Sequence, residues 1–121
     1  MTLTVLAVDD SRTMRDMLNA TLSEAGFDVH LAEDGQHGLE VLGGIEPDVI
    51  VTDLNMPRLD GFGFVDAVRQ KDDMLGVPIL ILTTESGAEL KQRARAAGAT
   101  GWIVKPYDEE KLVATIKRIS A

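Results

Sequence analysis

Five short apolar, β-branched runs alternate with five helical patterns along this chain, and that alternation leaves few folds open. The runs are Leu3–Val8, Asp28–Leu31, Asp48–Thr52, Val77–Leu82 and Gly101–Val104. The first, third and fourth are nearly continuous hydrophobes, as expected of parallel strands buried on both faces. After the first run, Met14, Met17, Leu18, Leu22 and Ala25 follow the i, i+3, i+4 spacing of an amphipathic helix, which Gly26 can end. Asp34 can cap a second helix ending near Gly43 and Gly44. A third starts after Asp60-Gly61 and carries Phe64, Val65 and Val68. A fourth covers roughly Ala88 to Ala97, with Gly98 just past its end. The fifth starts at Asp108, a good cap, with Glu109 and Glu110 in its first turn and Leu112, Val113, Ile116 and Ile119 on its buried face.

The pattern is (βα)5 with short connections, and no internal repeat, low-complexity stretch or linker interrupts it. Regular alternation predicts an α/β domain over residues 1–121, with a doubly wound, five-stranded parallel sheet covered by helices on both faces. A length of 121 residues, 45% of them apolar, suits one domain with one core. The chain has no cysteine, which excludes disulfides, thiol nucleophiles and cysteine-based metal sites. No apolar run approaches the roughly 20 residues that span a bilayer, and Met1-Thr2-Leu3-Thr4-Val5 lacks the basic start of a secretory signal. A soluble, cytoplasmic protein without a membrane partner is expected. The net charge of −8 argues against nucleic acid, whose phosphates are held by clustered Lys and Arg.

In sheets of this type the reactive crevice lies beyond the carboxyl ends of the strands. Asp9-Asp10-Ser11 follow the first strand, Thr52-Asp53-Leu54-Asn55-Met56-Pro57 close the third, Thr83-Thr84-Glu85 close the fourth and Lys105-Pro106 follow the fifth. Three carboxylates, a hydroxyl and an ammonium thereby reach one rim. Two carboxylates 4 Å apart repel by about 4 kcal/mol at an effective dielectric of about 20, so the cluster calls for a cation beyond Lys105. All the available ligands are oxygens, and few of them are carboxylates. That donor set favours Mg²⁺, which keeps several waters and shares phosphate, over calcium, zinc or copper. A carboxylate beside such a metal and an ammonium suits phosphoryl transfer, with the carboxylate as nucleophile. Taken singly, each residue has an ordinary reading: Asp9-Asp10 as helix caps, Asp53 as a turn residue, Thr83 as a strand residue, Lys105 as a surface lysine. Four strand ends converging on one rim favour chemistry.

Asp9-Asp10, Asp53, Thr83 and Lys105-Pro106, in this order and spacing, resemble the signature of response-regulator receiver domains. Asp53-Leu54-Asn55-Met56-Pro57 with Asp60-Gly61, and the run from Ala97 to Pro106, are similar to the single-domain chemotaxis CheY type. The resemblance covers the whole chain. It implies a flavodoxin-like sheet of strand order 2-1-3-4-5, as in CheY. It implies Asp53 as phosphoacceptor, Mg²⁺ held directly by Asp10, Asp53 and the Asn55 carbonyl, and Asp9 reaching the metal mainly through water. Lys105 would contact the phosphoryl group, and the Lys105–Pro106 peptide bond would be cis. Thr83 and the aromatic Trp102 would form the switch, the ring turning inward as the hydroxyl moves to the phosphate. Asn55 and Glu85, beside the path of an attacking water, would tune the lifetime of the acyl phosphate. Thr84, where a small Ala is commoner, would narrow access to Asp53.

The resemblance further implies a monomer without an output domain, catalysing only its own phosphorylation and dephosphorylation. Its phosphodonor would be a histidine kinase of the chemotaxis CheA type. Its target would be the flagellar motor switch protein FliM or a similar protein, bound by the face formed by the fourth helix, fifth strand and fifth helix. A phosphate sink or phosphorelay intermediate is the alternative. A Mg²⁺-dependent aspartyl phosphatase is disfavoured because Ser11 replaces the second acid of its Asp-x-Asp motif. A flavin or nucleotide binder lacks its phosphate loop after the first strand. His30 and His37 are not placed for phosphotransfer.

Overall fold

The computed structural model describes residues 2–121. Five parallel strands, β1 (Thr4–Val8), β2 (Asp28–Ala32), β3 (Val49–Thr52), β4 (Ile79–Thr83) and β5 (Gly101–Val104), lie in the order β2-β1-β3-β4-β5. Five helices join them: α1 (Arg12–Glu24), α2 (Gly35–Leu42), α3 (Gly61–Arg69), α4 (Ala88–Ala97) and α5 (Glu109–Ile119). This is the doubly wound parallel sheet that the alternation predicts, in the order implied by the resemblance. No helix among the described residues is long and apolar enough to cross a membrane.

Alternation along each strand builds two cores. On β1, Leu6 and Val8 face one side and Val5 and Ala7 the other. Leu6 and Val8 pack with Leu42 of α2, Phe64, Val65 and Val68 of α3 and Ala94 of α4. Val5 and Ala7 pack with Leu18 and Leu22 of α1 and Leu112 and Ile116 of α5. The three central strands are buried on both faces, while β2 and β5 form partly exposed edges. The edge position explains why their runs are less apolar.

Local chemistry sets the helix boundaries. Ser11, Asp34, Asp60 and Asp108 cap α1, α2, α3 and α5, each accepting a backbone N–H from three residues on. Gly98 ends α4 in the left-handed region, at φ 114°. The α1 stripe differs in one place from the spacing rule. Met17 is 48% exposed, and Thr21 is buried instead, because its hydroxyl pairs with Tyr107 Oη at 3.1 Å and Glu109 Oε1 at 3.2 Å. A short 3-10 turn at Asp72–Met74 precedes β4 and has no counterpart in the periodicity.

The sheet order reverses between β1 and β3, both of which start from the middle of the sheet and wind outward. Loops leaving their carboxyl ends diverge, so a crevice opens there. Asp9 and Asp10 leave β1 at this point, and Asp53 leaves β3.

Candidate functional site

Backbone pairing places the acids. The Asp9 N–H donates to the Ala32 carbonyl at 3.0 Å and the Asp53 N–H to the Val8 carbonyl at 2.9 Å. The sheet ladder thus continues one residue into the crevice and fixes both side chains. Asp9 and Asp53 are buried, and Asp10 is exposed. A carboxylate oxygen from each of Asp9, Asp10 and Asp53 lies within 4.8 Å of the other two.

Lys105 enters from the far end of the sheet. Its backbone N–H donates to the Thr83 carbonyl at 2.8 Å, and the Lys105–Pro106 peptide bond is cis. Its ammonium donates to Asp9 Oδ2 at 2.6 Å and Asp53 Oδ2 at 3.2 Å, and its side chain is only 10% exposed. Burial alone would lower the Lys105 ammonium, but the Asp9 and Asp53 carboxylates outweigh it and leave the group above its ordinary range. For Asp9 the balance is the reverse. Burial raises its carboxyl above the usual range, although the Lys105 ammonium and the Ser11 N–H, donating at 2.9 Å, both oppose the shift. One ammonium among three carboxylates leaves the site short of positive charge. The oxygen-only donors, their spacing and this deficit fit a hard divalent cation.

The two Asp53 oxygens differ. Oδ1 accepts the Leu54 N–H at 2.7 Å, and Oδ2 faces Lys105. Below them the chain turns tightly into α3. A Cβ on Gly61 would lie 2.3 Å from the Asp53 carbonyl oxygen and 2.7 Å from Leu54 Cα. Gly61→Ala should therefore push the loop that follows Asp53 out of place, costing about 3 kcal/mol of stability, at the upper end for overpacking. A urea unfolding curve unchanged from wild type would contradict this.

Thr83 is fully buried at the end of β4. Beyond it, Glu85 joins three of the residues singled out from the sequence. Its N–H donates to Thr83 Oγ1 in a long contact of 3.4 Å, and its carboxylate accepts from Asn55 Nδ2, also at 3.4 Å. Its carbonyl accepts the Trp102 indole N–H at 3.0 Å. The Trp102 indole is half-buried with its polar edge satisfied. Thr84 is exposed beside the crevice.

All the singled-out residues thus lie on the crevice or on the β4–α4 and β5 segments beside it. Sequence reasoning did not find Arg15, whose guanidinium donates to the Asp9 carbonyl at 2.8 Å. Nor did it find Arg58, which pairs with the α2 cap Asp34 at 2.7 and 3.1 Å. The placement of Arg58 directly after the Asn55-Met56-Pro57 turn was the available signal.

The chain matches the response regulator receiver domain family over residues 5–117. It is 39% identical over 115 residues to the response regulator MprA of Mycobacterium leprae, covering 95% of this chain and 50% of that protein. It therefore spans about half the length of the MprA relatives it matches. It is 35% identical over 116 residues to a probable chemotaxis protein CheY of Rhizobium etli, covering 95% of this chain and 90% of that protein. The crystal structure of the chemotaxis protein CheY4 of Vibrio cholerae superimposes with a TM-score of 0.95 at 46% identity, covering 98% of this chain and 99% of that one. A family match over nearly the whole domain, carried by a sheet of the same order, leads to one conclusion: the chain belongs to the receiver domains of two-component response regulators.

Proposed function

We propose that Asp53 accepts a phosphoryl group from the phosphohistidine of a CheA-type histidine kinase, and that the phosphorylated form then binds FliM or a similar motor-switch target. The observation that carries this reading is the convergence of Asp9, Asp10 and Asp53 at the point where the strand order reverses, with the Lys105 ammonium on Asp9 and Asp53. The 46% identity to a chemotaxis CheY4 supports the choice of pathway.

Asp53 is the nucleophile because its partners leave it the role. Asp9 and Asp53 each accept one backbone N–H and the Lys105 ammonium, but Lys105 sits closer to Asp9, at 2.6 Å against 3.2 Å, so Asp53 is the carboxylate more readily released, and Asp10 stands out in solvent. An Asp53 oxygen attacks phosphorus as the P–N bond of the phosphohistidine breaks. The bonding pair returns to the imidazole, which leaves neutral when its other nitrogen carries a proton. Lys105 exchanges part of its contact with Asp53 for a phosphoryl oxygen and neutralises charge there. Asp9, Asp10, Asp53 and the Asn55 carbonyl would hold Mg²⁺, which when bound offsets the negative charge of the phosphoryl oxygens. The Thr83 hydroxyl gives up its long contact with the Glu85 N–H for the third oxygen. That exchange loosens Glu85, whose carbonyl holds Trp102, and so reaches the α4–β5–α5 face. Asn55 and Glu85 together border the path of a hydrolytic water.

Mg²⁺ at about 100 times its dissociation constant should stabilise the fold by about 2.7 kcal/mol relative to EDTA, read as a rise in Tm. With Mg²⁺ and beryllofluoride, the affinity for a motor-switch protein should rise about tenfold, the scale of a modest allosteric coupling. Equal affinity in both states would remove the motor reading. Rapid return of phosphoryl to the kinase histidine without target binding would identify the phosphate-sink alternative.

A further inference from the structure

Arg58 is the one non-glycine residue among the described residues with a positive φ, at 64°. Leu59 N–H donates to the Pro57 carbonyl at 2.7 Å, so Arg58 sits at the centre of a tight three-residue turn. That backbone conformation costs free energy for any residue with a Cβ, and glycine or asparagine is the usual choice there. An arginine in such a place points to a task for its side chain.

The task is visible across the loop. Arg58 Nε donates to Asp34 Oδ2 at 2.7 Å and its Nη2 to Asp34 Oδ1 at 3.1 Å, a two-pronged pair. Asp34 is buried, its side chain only 4% exposed, and it also accepts the His37 N–H as the cap of α2. Arg58 and His37 together hold its carboxyl below the usual range. The Gly35 N–H donates to the Leu59 carbonyl at 3.1 Å, and a Cβ on Gly35 would lie 2.5 Å from that oxygen. The tip of the β3–α3 loop is thereby fixed to the start of α2, and its base is closed by the Gly61 N–H on the Leu54 carbonyl at 2.8 Å. Asn55 lies between these two anchors. Among the described residues its side chain hydrogen-bonds only to Glu85, in the long contact of 3.4 Å.

We infer that Arg58 is a positioning residue for the metal site: its clamp on Asp34 orients the Asn55 carbonyl toward the Asp9, Asp10 and Asp53 cluster. This rests on the Mg²⁺ reading of that cluster. Two effects of removing Arg58 have opposite signs, which makes the inference testable. A loss of positive charge near an acidic site strengthens cation binding through the field. A loss of ligand orientation weakens it.

The experiment is calorimetric titration of the full chain with MgCl₂, alongside the metal-free Tm. Arg58→Gly relieves the backbone strain but leaves the buried Asp34 carboxylate with the His37 N–H alone, so its metal-free Tm should fall by a few degrees while the chain stays folded at the titration temperature. Its Mg²⁺ affinity should fall roughly tenfold, the low end of what groups that orient metal ligands contribute. Arg58→Lys should recover part of the loss. Asp34→Asn, which still caps α2, should weaken Mg²⁺ binding to a similar extent. Combining it with Arg58→Gly should add little. Unchanged or tighter Mg²⁺ binding by Arg58→Gly overturns the inference while leaving the site reading intact. A wild-type chain that binds no Mg²⁺ overturns both.

Discussion

Asp53→Asn is expected to abolish acyl-phosphate formation while making the metal-free protein more stable. The first effect follows from chemistry. An amide oxygen lacks the negative charge that attacks phosphorus, and its neighbours cannot take over. Asp9 holds Lys105 more tightly than Asp53 does, at 2.6 Å against 3.2 Å, and Asp10 stands exposed outside that ion pair. Hydroxylamine-labile label from a phosphorylated kinase should fall to background.

The second effect follows from charge. Asp53 has two carboxylate neighbours within 4.8 Å: buried Asp9 repels it by about 3.5 kcal/mol at an effective dielectric of about 20, and exposed Asp10 by no more than about 1 kcal/mol after solvent screening. The Lys105 ammonium at 3.2 Å returns about 5 kcal/mol on the same scale. These contributions nearly cancel, and neutralising Asp53 also removes the cost of burying its charge, so the metal-free fold should gain about 1 kcal/mol, measured by urea unfolding in EDTA. Addition of Mg²⁺ should help the variant less than wild type, since one ligand charge is gone. Wild-type labelling of the variant would mean that another side chain is the nucleophile. A lower urea midpoint would mean that the Lys105 pair outweighs the crowding of acids.

The alternation of strands and helices was legible because buried parallel strands and amphipathic helices leave different periods in the chain. Caps were legible where a short polar side chain meets its own helix, as at Asp34 and Asp108. Strand ends were less so. The apolar pattern ends β4 at Leu82, yet the strand runs through Thr83, a polar residue buried completely by the loop above it. Its start moves from Val77 to Ile79, past Pro78, which has no N–H to give to a ladder. Met17 and Thr21 exchange places because the partners of Thr21, on the α5 side, are 86 and 88 residues away in the chain. The crevice residues could be gathered from the strand-end rule alone. What the rule does not supply is which groups pair. The reach of Lys105 to Asp9, the indole of Trp102 on the Glu85 carbonyl and the clamp of Arg58 on Asp34 all depend on how separate loops close over the sheet.

Lys105→Met should cost as much stability as any substitution at the crevice. The lysine stem fills space that methionine can occupy, so packing is largely retained and the change is mainly electrostatic. With the ammonium gone, Asp9 and Asp53 are left buried and unpaired, with side chains 2% and 11% exposed. Removing one partner from a buried ion pair costs about 3 kcal/mol, which for a domain of this size lowers Tm by about 10 °C. The pH dependence separates this cause from a packing defect. In wild type the Asp9 carboxyl is already raised by burial against the pull of Lys105, so losing Lys105 raises it further. A carboxyl whose folded-state pKa lies above its unfolded value destabilises the ionised fold. That penalty is absent below the unfolded value, grows as pH rises and is complete above the folded one. The deficit of Lys105→Met relative to wild type should therefore shrink as pH falls from 8 toward 4 in EDTA. At high pH the wild-type advantage is lost from the other side: stability contributed by the raised Lys105 ammonium persists through neutrality and disappears as pH climbs through its folded pKa. Urea unfolding at a series of pH values would test both limbs, and a deficit that stays constant between pH 4 and 8 would assign the loss to packing. Mg²⁺ should restore part of the stability of the variant at pH 8 by supplying the missing positive charge, without restoring phosphorylation, because in the proposed reaction Lys105 also neutralises the phosphoryl oxygens.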